Sequence, residues 1–105
     1  MGKNRVIQEL TNILTQSLRH KIGSIVNPNE LYTEKYMKDA EILFDKAERV
    51  SKLDNWNIND KIKIGEELKR KLKLELESKE FLNERKFDIM DEEIDKALKS
   101  LNLNS

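Results

Sequence analysis

Apolar positions recur at three- and four-residue steps over most of the chain, and polar positions fill the intervals. In NRVIQELTNILTQSLRHKIG, residues 4 to 23, Val6, Ile7, Leu10, Ile13, Leu14, Leu18 and Ile22 fall along one face of a helix. The spacing predicts a first helix over about 4 to 22. Arg19, His20 and Lys21 would then meet the negative end of its dipole, and Gly23 would close it in the left-handed geometry that glycine adopts freely.

A second start follows in VNPNEL. Asn27 suits a cap, Pro28 the first helical position, Glu30 a reach back to the cap amide, and Val26 with Leu31 a hydrophobic staple. From there Tyr36, Ala40, Leu43, Ala47 and Val50 alternate four and three apart, the heptad spacing of a coiled-coil seam, and Met37 and Phe44 widen it. The second helix is expected over about 28 to 52. LDNWNIND then breaks it, because Asn and Asp side chains compete for backbone partners.

The stretch GEELKRKLKLELESKEF, residues 65 to 81, has leucines at 72, 74 and 76 that alternate with charge as a strand would. Composition decides against a strand. Leu, Lys and Glu favour helix, and Glu66 to Arg70, Glu67 to Lys71 and Glu75 to Lys79 are supportive pairs four apart. At 100° per residue Ile64, Leu68, Leu72 and Leu76 share an arc of about 120°, whereas Leu74 points nearly opposite and Phe81 lies within about 20° of it. The third helix, expected over about 59 to 85 from a start near Asn57 or Asn59, thus carries a main apolar face and a smaller second one. Phe87, Met90, Ile94, Ala97, Leu98 and Leu101 resume a seam. They predict a restart, with Asp88 or Asp91 as cap, and a fourth helix over about 89 to 101; the tail NLNS is expected to fray.

These elements predict an all-α protein: one domain over residues 1–105, an antiparallel bundle of three to four helices. Helices 2 and 3, long and joined by a short connection, are expected to form its central hairpin. With 3 Gly, 1 Pro and 6% aromatic residues, the composition opposes a sheet.

Charge changes the picture only locally. Lys and Arg number 20, as do Asp and Glu, so no net field attracts nucleic acid or anionic lipid. Cysteine is absent, excluding disulfides and thiolate metal sites. No apolar run has the length of a membrane span and no signal-peptide core follows Met1, so a cytoplasmic protein without membrane contact is expected.

Candidate chemistry is sparse. The single His20 falls among charged residues, and neither a Gly-rich phosphate loop nor a nucleophile with an adjacent base is present. Asp88, Asp91, Glu92, Glu93 and Asp95 lack the Gly and the ligand alternation of a calcium loop and read as a helix N-terminus. No enzyme activity, catalytic residue, metal, cofactor or small-molecule substrate is implied. The expected function is a protein-interaction or assembly module, self-associating or part of a larger complex, that uses Leu74 and Phe81 as partner-binding residues. The alternative is a small nucleic-acid-binding protein using Lys61, Lys63, Lys69, Arg70, Lys71 and Lys73 of helix 3, although Glu66, Glu67, Glu75 and Glu77 interleave with them. Trp56 and Tyr32, near the connections, are expected to close the ends of the bundle.

Overall fold

The computed structural model describes residues 2–27, 30–80 and 82–105, with the side chains of Glu30 and Leu31 also outside the description. Four helices follow one another: α1 (Lys3–Val26), α2 (Glu30–Ser51), α3 (Ile58–Ser78) and α4 (Arg85–Ser100). No strand occurs among the described residues, and the bundle measures 40 × 22 × 21 Å. The long dimension is set by α1, whose 24 residues span about 36 Å.

The all-α bundle forms as expected, but its helices pair differently. The backbone of α1 packs against α2, α3 and α4, and α3 also packs against α4; α2 approaches neither α3 nor α4. The centre is therefore α1, and the expected hairpin of helices 2 and 3 is replaced by one of α1 and α2. Directions follow from the contacts. Ser17 Oγ donates to the Ala40 carbonyl at 2.8 Å while His20 packs edge-on against Tyr36, so α1 and α2 are antiparallel. Lys3 meets Asp60 and Arg19 meets Glu75, so α1 and α3 run parallel.

The physical reason for the central place of α1 lies in its small hydroxyl side chains. Thr11 Oγ1 donates to the Ile7 carbonyl at 2.8 Å, and Thr15 Oγ1 to that of Thr11 at 2.7 Å. Each hydroxyl is satisfied by its own helix, so these threonines can be buried at 0% and 4% exposure. Ser24 is buried in the same way, its Oγ donating to the Lys21 carbonyl, whereas buried Ser17 finds its acceptor across the interface, at Ala40 of α2. A helix whose polar residues satisfy themselves can be covered on several faces.

Further differences concern helix ends. Gly23 does not terminate α1: no glycine has a positive φ, and the helix runs on to Val26. Instead Gly23 is buried where a Cβ would meet Leu82 at 3.5 Å and Tyr36 at 3.6 Å, a close approach of α2 and of the connection between α3 and α4. The Asn27 side chain accepts from the Asn83 amide at 3.2 Å. The expected roles of Pro28, Glu30 and Leu31 at the start of α2 lie outside the described residues.

Of the two starts expected for α3, Asn57 is the one that caps it. Asn57 Oδ1 accepts from the Asp60 amide at 2.8 Å, and Asp60 Oδ2 from the Asn57 amide at 3.1 Å, a reciprocal capping box. Beside it, half-buried Trp56 donates from Nε1 to the Ser51 carbonyl at 2.8 Å and closes this end of the bundle, whereas Tyr32 is exposed and stacks on Tyr36. Ile64, Leu68, Leu72 and Leu76 are all at 0% exposure, the face predicted from the angular argument.

The restart occurs earlier than expected. α3 ends at Ser78, where the Lys86 ammonium donates to the carbonyl of its cap residue Lys79 at 2.8 Å. Asn83, rather than Asp88 or Asp91, then caps the new turn by accepting from the Arg85 amide at 2.9 Å. Nor does the tail NLNS fray. Leu103 N–H donates to Leu98 C=O at 2.8 Å and Asn102 N–H to Lys99 C=O at 3.1 Å, with Asn102 at φ 57°. This is a Schellman closure, and it carries Leu103 into the core at 1% exposure.

Candidate functional site

Leu74, expected as a partner contact, projects from the back of α3 at 56% exposure. It borders a shallow cleft between α1 and α3 whose other walls are Asn12, Thr15, Gln16, Lys71, Glu75 and Ser78. The surroundings are polar and largely satisfied. Lys71 Nζ donates to Thr11 Oγ1 at 2.7 Å and to Gln8 Oε1 at 2.8 Å, and Arg19 and Lys79 flank Glu75. Burial is the main cause that holds the Lys71 ammonium below its ordinary range, against an opposing pull from Glu67. Phe81, the other expected contact, lies outside the described residues.

The α3 cations do not share one face. By helical angle Lys61, Lys63, Lys69, Arg70, Lys71 and Lys73 are spread over about 280° around the axis. Most are engaged locally: Lys63 donates to Asn4 Oδ1 at 2.7 Å, Lys69 pairs with Asp91 at 3.5 Å, Arg70 with Glu67 at 2.9 Å, and Lys71 is tied to α1. Lys61 is half-buried and Lys73 exposed.

A different surface follows from the pairing of helices. Because the α2 backbone approaches α1 and no other helix, an open groove of about 300 Å³ runs between α2 and α4. Its floor is Ser17, Leu18 and Lys21 of α1; Met37, Ala40 and Phe44 of α2 and Ala97 of α4 make its walls predominantly apolar, and Ser100 lies at its edge. Among its described side chains, α2 buries only small or β-branched apolar residues below a tenth exposed, namely Ala40, Ala47 and Val50. The alanines bring α2 close to α1 and leave the larger Met37 and Phe44 half-buried at its flank. These two are seven residues apart, on one side of the seam, and were the only sequence trace of this groove.

Charge is arranged across it. On the α4 side the Glu93 carboxylate, at 4% exposure, is 2.6 Å from Lys21 Nζ and 3.3 Å from Lys96 Nζ. Burial pushes the Glu93 carboxyl up, but the hydrogen bonds and charges of Lys21 and Lys96 outweigh it and hold the group below its ordinary range. The sequence had placed Glu93 in an exposed acidic helix start, and its buried ion pair went unseen. On the α2 side Glu41 and Asp45 line the groove and make no ion pair among the described residues.

His20 is half-buried within α1, its Nδ1 2.7 Å from the Gln16 carbonyl and its Nε2 3.1 Å from an Arg19 nitrogen, so both ring nitrogens are occupied. Among the described residues no group of three or more His, Asp or Glu side chains is placed to hold a metal ion, and no helix is long and apolar enough to cross a membrane. No protein-family model, no curated protein and no solved structure matches the chain.

Proposed function

We propose that this protein is a non-enzymatic interaction module of the cytoplasm, part of a larger assembly, that receives an extended partner element in the groove between α2 and α4. The observation that carries the reading is the position of α2: its backbone packs against α1 and no other helix, and its Met37–Phe44 flank borders an open, largely apolar channel with polar rims. Channels of that form suit protein segments, for which apolar floor contacts supply affinity and the rims supply orientation. Leu74, with Phe81, remains a secondary contact in this proposal. A single exposed leucine amid polar groups offers far less apolar area than a stable interface needs.

The test is a comparison of variants against a purified partner obtained by affinity capture. Ser100 is exposed at the groove's edge, so Ser100→Trp obstructs the channel without entering the core. Calorimetric titration is expected to show binding abolished by Ser100→Trp and retained by Leu74→Glu, with both variants keeping wild-type helicity. Binding lost with Leu74→Glu but untouched by Ser100→Trp would move the docking face to the α1/α3 side and overturn the reading.

A further inference from the structure

We infer that the element received by the groove is an amphipathic helix from another protein, with a two-turn apolar stripe flanked by lysine or arginine; this rests on the reading of the groove as the docking face.

The argument for a helix begins with the walls. They are three helices whose backbone groups are already paired internally, so a strand laid there would find no edge to complete its own hydrogen bonds. A helix brings its backbone satisfied. The apolar wall from Met37 to Phe44 is seven residues, about 10 Å along the axis, which matches anchors at i, i+3 or i+4, and i+7 of an incoming helix.

The argument for its charge comes from α2. Glu34, Glu41, Asp45 and Glu48 fall within an arc of about 60° on the groove side of that helix. Of these, only Glu48 has an ion-pair partner among the described residues, Lys52 at 3.9 Å. On the floor Lys21, and on the opposite wall Lys96, are neutralised by Glu93 and Glu92. Among the residues that line the groove, the charge without an ion pair is therefore that of Glu41 and Asp45, and it lies along one edge, where a basic flank would both bind and set the direction of the partner.

A second copy of this chain fits less well. Its exposed large apolar residues on helices include Ile58 and Ile62, a pair one turn apart flanked by Lys61 and Lys63, while Ile42 and Leu74 stand on other faces. One turn of anchors fills half of the channel's length.

The experiment uses two labelled 18-residue helical peptides carrying the same leucine stripe, one flanked by lysines and the other by glutamates. Titration of the full chain at 150 mM salt is followed by fluorescence polarisation and by amide shift mapping. The expected result is that the lysine peptide shifts Met37, Phe44, Ala97 and Ser100 and binds at least tenfold tighter than the glutamate peptide. Reversing both free carboxylates, Glu41→Lys with Asp45→Lys, should invert that preference.

Equal binding of both peptides in the groove would overturn the charge inference and leave the groove reading intact. Absence of groove shifts with either peptide would overturn both. A concentration-dependent dimer of the chain alone, abolished by Ser100→Trp in sedimentation, would assign the groove to a second copy and overturn the foreign helix.

Discussion

Lys21 Nζ lies 2.6 Å from Oε1 of Glu93, joining α1 to α4 at the margin of the groove. The two partners are unequal: Glu93 is 4% exposed, whereas Lys21 keeps 36% of its side chain in solvent. The carboxylate has therefore lost most of its water and depends on the two lysines.

That dependence predicts both a mutational cost and a pH profile. Glu93→Gln should lower stability at pH 7 by about 2 kcal/mol, the scale for losing a buried charged partner that is still partly hydrated on one side. The folded-state value of Glu93 is depressed below its ordinary 4.5. Its contribution is thus complete above that value and is lost as pH falls through the folded-state value. Urea melts from pH 7 to pH 3 should show wild type and Glu93→Gln converging at the acid end. A constant difference between them would mean that the ion pair is not the cause.

Gly23→Ala should stabilise the protein. The residue is helical, and the added methyl would stand 3.5 Å from Leu82 and 3.6 Å from Tyr36, ordinary contact distances. Removing a glycine from a helix interior is worth about 0.5–1 kcal/mol, a rise of a few degrees in Tm. Had Gly23 closed α1 in left-handed geometry, the same change would lower Tm, so the sign alone distinguishes the two.

The chain end is structural. Leu103→Ala should cost about 2 kcal/mol, the low end for a buried leucine because the terminus can relax. Asn102→Val, forced into the left-handed region at φ 57°, should cost about 1–2 kcal/mol, whereas Asn102→Gly should be neutral or slightly stabilising. Chemical denaturation of the three variants checks the order.

Duplex DNA and RNA should bind no more tightly than a neutral control protein of similar size, even at low salt. Phosphate binding needs a continuous basic stripe, and the α3 cations are dispersed and paired to Asn4, Glu67, Thr11 and Asp91. Salt-dependent affinity that falls with Lys63→Gln, Arg70→Gln and Lys73→Gln together would restore the nucleic-acid reading.

What could be read from the chain was what repeats or caps locally. The Ile64, Leu68, Leu72, Leu76 face follows from the 3.6-residue period, and a start of α3 near Asn57 or Asn59 from the cap-forming side chains there, although the reciprocal box with Asp60 went unread. The pairing of helices was less legible, because Thr11 and Thr15 look like solvent-facing residues until their hydroxyls are seen to bond their own helix. Gly23 carries the same letter whether it ends a helix or admits a neighbour. Leu103, an isolated leucine among asparagines, reveals its burial only through the left-handed turn at Asn102. The groove is the least legible feature of all. It arises from two helices whose backbones stay apart, and no local pattern encodes that separation; Met37 and Phe44 hint only that α2 has a second apolar flank.

The central claim, that the α2 backbone packs against α1 and against no other helix, is tested most directly by native-state amide hydrogen exchange. A helix whose backbone has one neighbour, and whose described side chains bury only Ala40, Ala47 and Val50 among apolar residues, should open independently of the rest. Amides of residues 36 to 50 are predicted to exchange through an opening at least about 1 kcal/mol cheaper than that of residues 64 to 76. Equal protection of the two segments, up to the free energy of global unfolding, would contradict the account.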